Sequence, residues 1–231
     1  MGSWKRLLTT DDFTDIQIIQ LQNLVFVSGS ATLSDSPNSF EKGVSTDVTF
    51  TYSATANDSV FVSAEYGPST NLADVTSDGL SGGTELVENN TTSVSRQYKV
   101  IFSHDGVEGS AITKNQTFLA IKPQFFGVST EETFNNASYS TLTSELTKVI
   151  QTSGQIPDST GQELFSPTDQ FVFFISNTSG LVIKDFNGFP QNDFTETEIS
   201  IKLANGTTQT GMFQYRSNTI KTLTNFGYEL G

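Results

Sequence analysis

The stretch ISIKLANGTTQTGMFQYRSN, residues 199–218, predicts a β-hairpin, because two alternating runs flank an Asn205-Gly206 turn. Its apolar residues alternate with polar ones on both sides of that turn: Ile199, Ile201, Leu203, Phe213 and Tyr215. The stretch contains no His, Cys, Asp or Glu. These residue types carry most acid–base, nucleophilic and metal chemistry, so the hairpin is suited to packing rather than to catalysis.

The composition of the whole chain agrees with this strand-rich hairpin. The chain has 231 residues, which fits one large domain or two small ones. It contains 19 Phe, and each buried aromatic ring removes a large apolar area from water. Only 16% of the residues are charged, and the polar remainder is mostly Ser, Thr and Asn, which favours strands and turns over helices.

The charge and the cysteine count exclude several classes of protein. The net charge is −13, whereas a nucleic-acid binder needs a basic face to displace counterions, so we expect no nucleic-acid partner. An anionic membrane surface is disfavoured for the same electrostatic reason. The chain has no cysteine, which excludes disulfides, thiolate metal sites and cysteine nucleophiles.

The N-terminal residues show no export signal. MGSWKRLLTTDDF has only Leu7-Leu8 as an apolar pair, whereas a signal peptide needs roughly 7–15 apolar residues. The longest apolar run, 171–175, is too short to cross a membrane. We therefore expect assembly in a cytoplasm and no membrane insertion.

The chain is predicted to be all-β, with two β-sandwich (immunoglobulin-like) domains, one short helix in the second, and a preceding N-terminal anchor. Residues 1–30 form the anchor, residues 31–122 the first sandwich and residues 123–231 a C-terminal β-rich domain. In the first sandwich, short alternating runs recur with turn residues between them. The inward positions predicted there are Val48, Phe50, Tyr52, Tyr98, Val100 and Phe102.

The helix is predicted in the C-terminal domain. In LTSELTKVI (142–150), Leu142, Leu146, Val149 and Ile150 recur at helical spacing. The other apolar runs of this domain are predicted to be strands that form one sheet with the hairpin: 124–129, 171–176 and 181–186.

The anchor carries many apolar residues for so short a segment. It is predicted to be mostly extended, and a short helical turn near Asp11 is the alternative. An apolar segment without a domain of its own must bury its surface, either on a partner or on the first sandwich. The residues expected to form a docking interface with a partner are Trp4, Leu7, Leu8, Phe13, Ile16 and Ile19.

Few residues are suited to catalysis or metal binding. His104 is the only histidine, and it lies in SHDGVEGS, where a turn residue is expected rather than a catalyst. KDFNGFPQND holds Asp185, Asn187 and Asp193, but it lacks the alternating ligands and closing Glu of a calcium loop. We therefore predict no catalytic residue, no cofactor and no metal. The alternating aromatics are expected to form cores rather than a stacking platform for sugars.

Several segments together resemble modules of fibre and baseplate-associated proteins of tailed bacteriophages. SFEKGVSTDVTFTYSATANDSV (39–60) resembles the opening of their small immunoglobulin-like modules, in which a Phe/Tyr-Glu-Lys-Gly turn precedes an alternating strand. IKPQFFGVSTEETF (121–134) resembles the junction between two modules. LTSELTKVI, QFVFFIS and GFPQNDFTETEISIKLANGTTQTGMFQYRSN (188–218) resemble a C-terminal module whose final hairpin ends in Tyr-Arg-Ser-Asn.

The resemblance implies a structural protein of the virion tail: a fibre, a fibre adaptor or a baseplate component. It further implies other tail proteins as partners, a homo-oligomer with a trimer favoured, and assembly in the host cytoplasm. It offers no catalytic residues to carry over. Two alternatives stay open, a head or neck appendage protein and an adhesin module that binds host-surface glycans. A polysaccharide depolymerase is disfavoured because its long β-helix and acid cluster are missing from the pattern.

Overall fold

The computed structural model describes residues 27–151, 163–185, 187–224 and 226–230. Strands dominate these residues, and the predicted all-β class with one short helix is confirmed. The division into two immunoglobulin-like sandwiches stays a prediction.

The described elements follow one another along the chain in the order given below. The strands are β1 (Gly29–Ser36), β2 (Ser39–Glu41), β3 (Thr46–Ala56), β4 (Val60–Gly67), β5 (Ala73–Asp74), β6 (Gly83–Asn90), β7 (Val94–His104), β8 (Val107–Glu108), β9 (Ile112–Ile121), β10 (Gln124–Ser129), β11 (Thr147–Val149), β12 (Glu163–Phe165), β13 (Thr168–Ser176), β14 (Ile183–Asp185), β15 (Phe194–Lys202), β16 (Thr208–Ser217), β17 (Lys221–Thr222) and β18 (Phe226–Leu230). A 3-10 turn spans Thr76–Asp78, and helix α1 spans Tyr139–Glu145.

The described strands form four sheets. Two have three strands, in the orders β1-β3-β6 and β12-β18-β14. The other two have the orders β2-β9-β7-β4-β5, with β8 on β7, and β11-β10-β13-β16-β15, with β17 on β13. The short strand β2 runs parallel to the end of β9, with Phe40 opposite Ala120.

The chain divides into two compact units that are not continuous in sequence. The described residues of the first unit are 27–38, 47–87 and 94–118. The second unit contains 39–46, 88–93 and the described residues from 119 onwards. The predicted domain limits 31–122 and 123–231 stay a prediction beside this division.

The core of the first unit comes from the alternating strands β3 and β7. All inward positions predicted from alternation are buried: Val48, Phe50, Tyr52, Tyr98, Val100 and Phe102. Side chains two apart in a strand share a face, so one face of each strand supplies this core.

The second unit carries an apolar cluster on each face of its larger sheet. In β13, Phe173 and Ile175 belong to one cluster, whereas Val172 and Phe174 belong to the other. Leu142 of α1 and Phe134 pack into the first cluster, and strands β12, β14 and β18 contribute to the second. A central strand with both faces covered needs apolar residues at consecutive positions, which explains the run FVFFI.

The predicted hairpin is confirmed as β15 and β16, and β10 and β13 lie in its sheet as predicted. The prediction that 181–186 joins this sheet was wrong, because β14 pairs with β18 in a separate sheet. Ile199 is opposite Met212, and Asn205 and Gly206 lie in the turn, where Gly206 has a φ of +79°. The arm β16 is an inner strand, so Met212 contacts one cluster and Tyr215 the other.

The helix is confirmed, but its predicted end was wrong. It begins after Ser138, whose Oγ accepts a hydrogen bond from the Thr141 amide at 3.1 Å, and it ends at Glu145. Leu146 is extended, with φ −127° and ψ 153°. The next residues, Thr147–Val149, pair with β10, because β-branched residues favour a strand where a sheet edge is within reach.

Candidate functional site

The residues predicted to form the docking interface lie outside the described part of the chain. They are Trp4, Leu7, Leu8, Phe13, Ile16 and Ile19. The docking interface therefore stays a prediction, and the candidate sites considered below come from residues 27–230.

Three polar side chains that are far apart in sequence meet in the second unit: Glu41, Tyr139 and Lys148. Lys148 Nζ donates to Glu41 Oε2 at 2.6 Å and to the Tyr139 hydroxyl at 2.7 Å. The Tyr139 hydroxyl in turn donates to Glu41 Oε1 at 2.7 Å. The Glu41 side chain is only 9% exposed, so these two partners replace water around its carboxylate. We call these three residues the Glu41 cluster.

The electrostatics of the Glu41 cluster favour a structural role. Burial opposes the charged form of Lys148, but its hydrogen bonds to Glu41 and Tyr139 outweigh burial and raise the lysine pKa. Burial raises the pKa of the Tyr139 hydroxyl, which therefore stays protonated and able to donate. A lysine held in its charged form is no nucleophile. The cluster therefore acts as a clamp that fixes β2 to α1 and β11.

The two residues after Glu41 are also fixed by contacts in the second unit. Lys42 Nζ donates to Gln209 Oε1 at 2.9 Å, and Gln209 lies on β16. Gly43 has a φ of +87°, and a Cβ built there would lie 2.7 Å from the Cβ of Leu203. Any other residue would have a strained backbone at this positive φ, and its Cβ would clash with Leu203. The turn Glu41–Gly43 therefore requires glycine at its last position.

The first unit has a polar cluster in its tyrosine-rich core. Arg96 forms a two-pronged ion pair with Glu85, with both N–O distances 2.9 Å. Hydrogen bonds from Arg96 lower the pKa of the Glu85 carboxyl. Tyr52 stacks on Tyr66 at 4.4 Å between ring centroids and donates to Asp78 Oδ2 at 2.6 Å. The Arg96–Glu85 pair connects β7 to β6, and the Tyr52–Asp78 hydrogen bond connects β3 to the 3-10 turn.

His104 lies where β7 turns into β8. Its Nδ1 is 2.8 Å from the carbonyl oxygen of Asp58, and its Nε2 is 3.6 Å from Asp105 Oδ2. Asp105 and Gly106 have positive φ values of 50° and 79°, which marks a tight turn. His104 itself is the last residue of β7 and pairs with Val107, so it lies beside the turn rather than in it.

The carboxylates of Asp185 and Asp193 have separate partners. Asp185 Oδ1 accepts from the amides of Asn187 at 2.9 Å and Phe189 at 3.0 Å, which closes the turn after β14. Asp193 forms an ion pair with Lys221. Among the residues that the structure describes, no three His, Cys, Asp or Glu side chains are grouped to hold a metal ion.

α1 has seven residues, and within the described ranges no helix combines the length and hydropathy of a membrane span. The described surface has at least three grooves. One groove of about 560 Å³ lies in the first unit beside Val27, Phe102 and Ile112. Another of about 580 Å³ lies in the second unit between β10, the end of α1 and β12. A third of about 280 Å³ is lined by residues 181–183, by Gln191 and Asn192, and by Glu196 and Tyr215.

No protein-family model, curated protein or solved structure matches this chain. The fold and its clusters therefore define a class only: an all-β protein whose polar clusters, in the described part of the chain, hold strands and turns together. The sequence marks the Glu-Lys-Gly turn at 41–43 but does not predict Tyr139 and Lys148 as its partners. No local pattern marks them, because they contact Glu41 only through the tertiary fold.

Proposed function

We propose that this chain is a structural protein of a bacteriophage tail, as a fibre, fibre adaptor or baseplate component. It acts by protein–protein assembly and not by catalysis. The proposal starts from the resemblance of residues 39–60, 121–134 and 188–218 to modules of such proteins.

One observation carries the proposal furthest. The turn Glu41–Gly43, which is part of the resemblance, is held by three separate contacts: Glu41 with Lys148, Lys42 with Gln209, and Gly43 against Leu203. A turn whose polar side chains are used to fix strands is what a rigid building block requires. A catalytic site would instead leave a nucleophile or base accessible to a substrate.

The test is whether the chain belongs to a particle. Tailed particles from lysed cultures of the source are banded by density and probed with an antibody raised against the purified chain. We expect the antibody signal in the particle band, and labelling of the tail in electron micrographs. A signal confined to the soluble fraction would overturn the proposal, and labelling of the head or neck would favour the appendage alternative.

The oligomeric state and the anchor can be tested on the purified chain. Light scattering is expected to give three times the chain mass of 25.1 kDa, since a trimer is favoured by the resemblance. A second form without residues 1–26 keeps Val27 and the whole of β1. If the anchor docks on a tail partner, this form remains a trimer but no longer enters particles. Unchanged incorporation would contradict the docking role of the anchor.

A further inference from the structure

We propose that Asn187 is a site of spontaneous modification, at which the Asn187-Gly188 pair converts to isoaspartate and aspartate through a succinimide. The chain contains two Asn-Gly pairs, at 187–188 and at 205–206. The fold leaves the first pair reactive and protects the second. This modification goes beyond the assembly role and does not depend on it.

The reaction needs only water and the chain itself. The backbone nitrogen of the glycine attacks the side-chain Cγ of the asparagine and forms a C–N bond. The side-chain nitrogen leaves as ammonia and takes the proton of the glycine amide with it. Water then opens the succinimide at either carbonyl, which gives aspartate or isoaspartate. Glycine hinders the attack least, because it has no Cβ.

The two Asn-Gly pairs have the same backbone environment. The amides of Gly188 and Gly206 each donate to a carbonyl three residues earlier, at 2.9 Å to Asp185 and at 2.8 Å to Leu203. Both glycines have a φ of +79°, and a Cβ built on either would have no atom within 4 Å. Both asparagines are exposed to water. The two pairs therefore differ mainly in the contacts of the asparagine side chains.

The side chain of Asn205 is held by the residue after its glycine. Asn205 Oδ1 accepts from the Thr207 amide at 3.1 Å and from the Thr207 hydroxyl at 2.7 Å. Attack on Cγ requires the glycine nitrogen to approach the side-chain amide from outside its plane. Turning that plane toward the nitrogen of Gly206 breaks both bonds, which raises the barrier to the reaction.

The side chain of Asn187 lacks this restraint, because Asp185 takes the corresponding donor. The Phe189 amide, which is the counterpart of the Thr207 amide, donates to Asp185 Oδ1 at 3.0 Å. Phenylalanine also has no hydroxyl to replace that of Thr207. In the described part of the chain the Asn187 side chain makes no hydrogen bond. It can therefore rotate toward the nitrogen of Gly188 without losing one.

The product changes the turn that follows β14. Isoaspartate places an additional carbon in the backbone and adds a negative charge. The Asp185 amide donates to the Phe189 carbonyl at 3.0 Å across this turn, and Lys184 pairs with Pro190 beside it. A longer backbone between Asp185 and Phe189 disturbs both contacts, so the modification alters the surface of this loop.

The test follows both Asn-Gly pairs in the same folded chain. The full chain is incubated at mildly alkaline pH in water enriched in oxygen-18, and its peptides are analysed by mass spectrometry at intervals. The heavy oxygen enters the new carboxylate and so marks modification that occurs during the incubation. The chain unfolded in guanidinium gives the intrinsic rate of each pair. Thr207→Val removes the hydroxyl that holds Asn205, and Thr207→Ser retains a hydroxyl as the matched control.

In the folded chain we expect Asn187 to react at least about tenfold faster than Asn205, because only Asn205 must break hydrogen bonds. The two rates should approach each other in guanidinium. Thr207→Val should raise the rate at Asn205 and leave the rate at Asn187 unchanged, whereas Thr207→Ser should behave as the wild type does.

Four results would overturn the proposal. The first is an absence of modification at Asn187 in the folded chain. The second is an equal or faster reaction at Asn205, which would mean that Thr207 activates the Asn205 carbonyl instead of holding it. The third is an unchanged rate at Asn205 in Thr207→Val. The fourth is the same ratio of rates in guanidinium, which would assign the difference to neighbouring residues in the sequence and not to the fold.

Discussion

Both units bury phenylalanine and tyrosine rings, but the first unit contains a group of three tyrosines, whereas one apolar cluster of the second unit contains no tyrosine. In the first unit Tyr52 lies between Tyr66 and Tyr98, with ring centroids 4.4 and 5.0 Å away. In the second unit the rings of Phe134 and Phe173 pack edge-to-face, with centroids 4.9 Å apart, in a cluster whose aromatic residues are all phenylalanines. A buried hydroxyl needs a partner and therefore selects its neighbours, whereas a phenyl ring requires only matching volume. A polar contact thus helps to specify the surroundings of Tyr52 in the first unit, whereas the cluster around Phe173 in the second unit is specified by packing.

The largest expected effect comes from removing a ring from the phenylalanine core. Phe173 is fully buried, so Phe173→Ala is expected to lower the free energy of unfolding by about 3–5 kcal/mol. Urea unfolding followed by circular dichroism measures this loss. Ile220→Ala, at a side chain that is 54% exposed, is the control and should change stability little. A loss below about 1 kcal/mol for Phe173→Ala would contradict a closely packed core.

The second largest effect is expected from alanine substitutions at two turn glycines, one in each unit, which should lower stability by different amounts. Gly82 has a φ of +73°, and a Cβ there would overlap the carbonyl oxygen of Tyr52. Gly206 has a φ of +79° but no atom near such a Cβ. We expect Gly206→Ala to cost about 1 kcal/mol through backbone strain, and Gly82→Ala roughly 3 kcal/mol because the β3 backbone must also shift. Equal losses in urea unfolding would show that the overlap is relieved at no cost.

Exchanging the two aromatic residues is the direct test of the comparison. Tyr52→Phe removes the hydroxyl that donates to Asp78, and it should cost about 1–2 kcal/mol. Phe174→Tyr places a hydroxyl in the second apolar cluster, where it should cost about 1–3 kcal/mol unless it finds a partner. If both exchanges were neutral, the tyrosines and phenylalanines would be interchangeable and the comparison would fail.

The smallest expected effect is a pH dependence of the first unit. Arg96 lowers the folded-state pKa of Glu85 below its ordinary value of 4.5. The ion pair therefore contributes its full stabilisation at pH values above 4.5. That contribution is lost as the pH falls through the folded-state pKa. The pair is partly open to water, so the effect is screened and small.

The measurement for this last prediction is the urea midpoint between pH 7 and pH 3. The wild type should lose stability more steeply at the acid end than Glu85→Gln. Glu198→Gln, at an exposed position on β15, is the control and should follow the wild type. Parallel curves for the wild type and Glu85→Gln would show that the ion pair adds no stability.

Much of the fold could be predicted from local pattern, and the error at α1 shows where pattern fails. Leu142 and Leu146 have helical spacing and are both buried, yet only Leu142 is inside the helix. The helical spacing of apolar residues continues to Ile150, but Thr147–Val149 pair with β10 as a strand instead. The spacing of apolar residues in a segment predicts one type of secondary structure. The type that forms also depends on whether another strand is close enough to pair with the segment.

The candidate sites were less predictable than the strands. His104 is the last residue of β7, and the Asp-Gly residues that follow it carry the local signal of the turn. The partners of Glu41 gave no such signal, since Tyr139 and Lys148 are about one hundred residues away along the chain.

The sequence by itself determined the all-β class, the inward faces of β3 and β7, and the terminal hairpin with its Asn-Gly turn. These features depend on residues two apart in a strand or adjacent in a turn, so short windows contain them. Only the tertiary structure decided the parallel pairing of β2 with β9, the end of α1 and the meeting of Glu41 with Lys148. Those contacts join distant segments, and they form because strand pairing and burial of both faces of β13 bring the segments together.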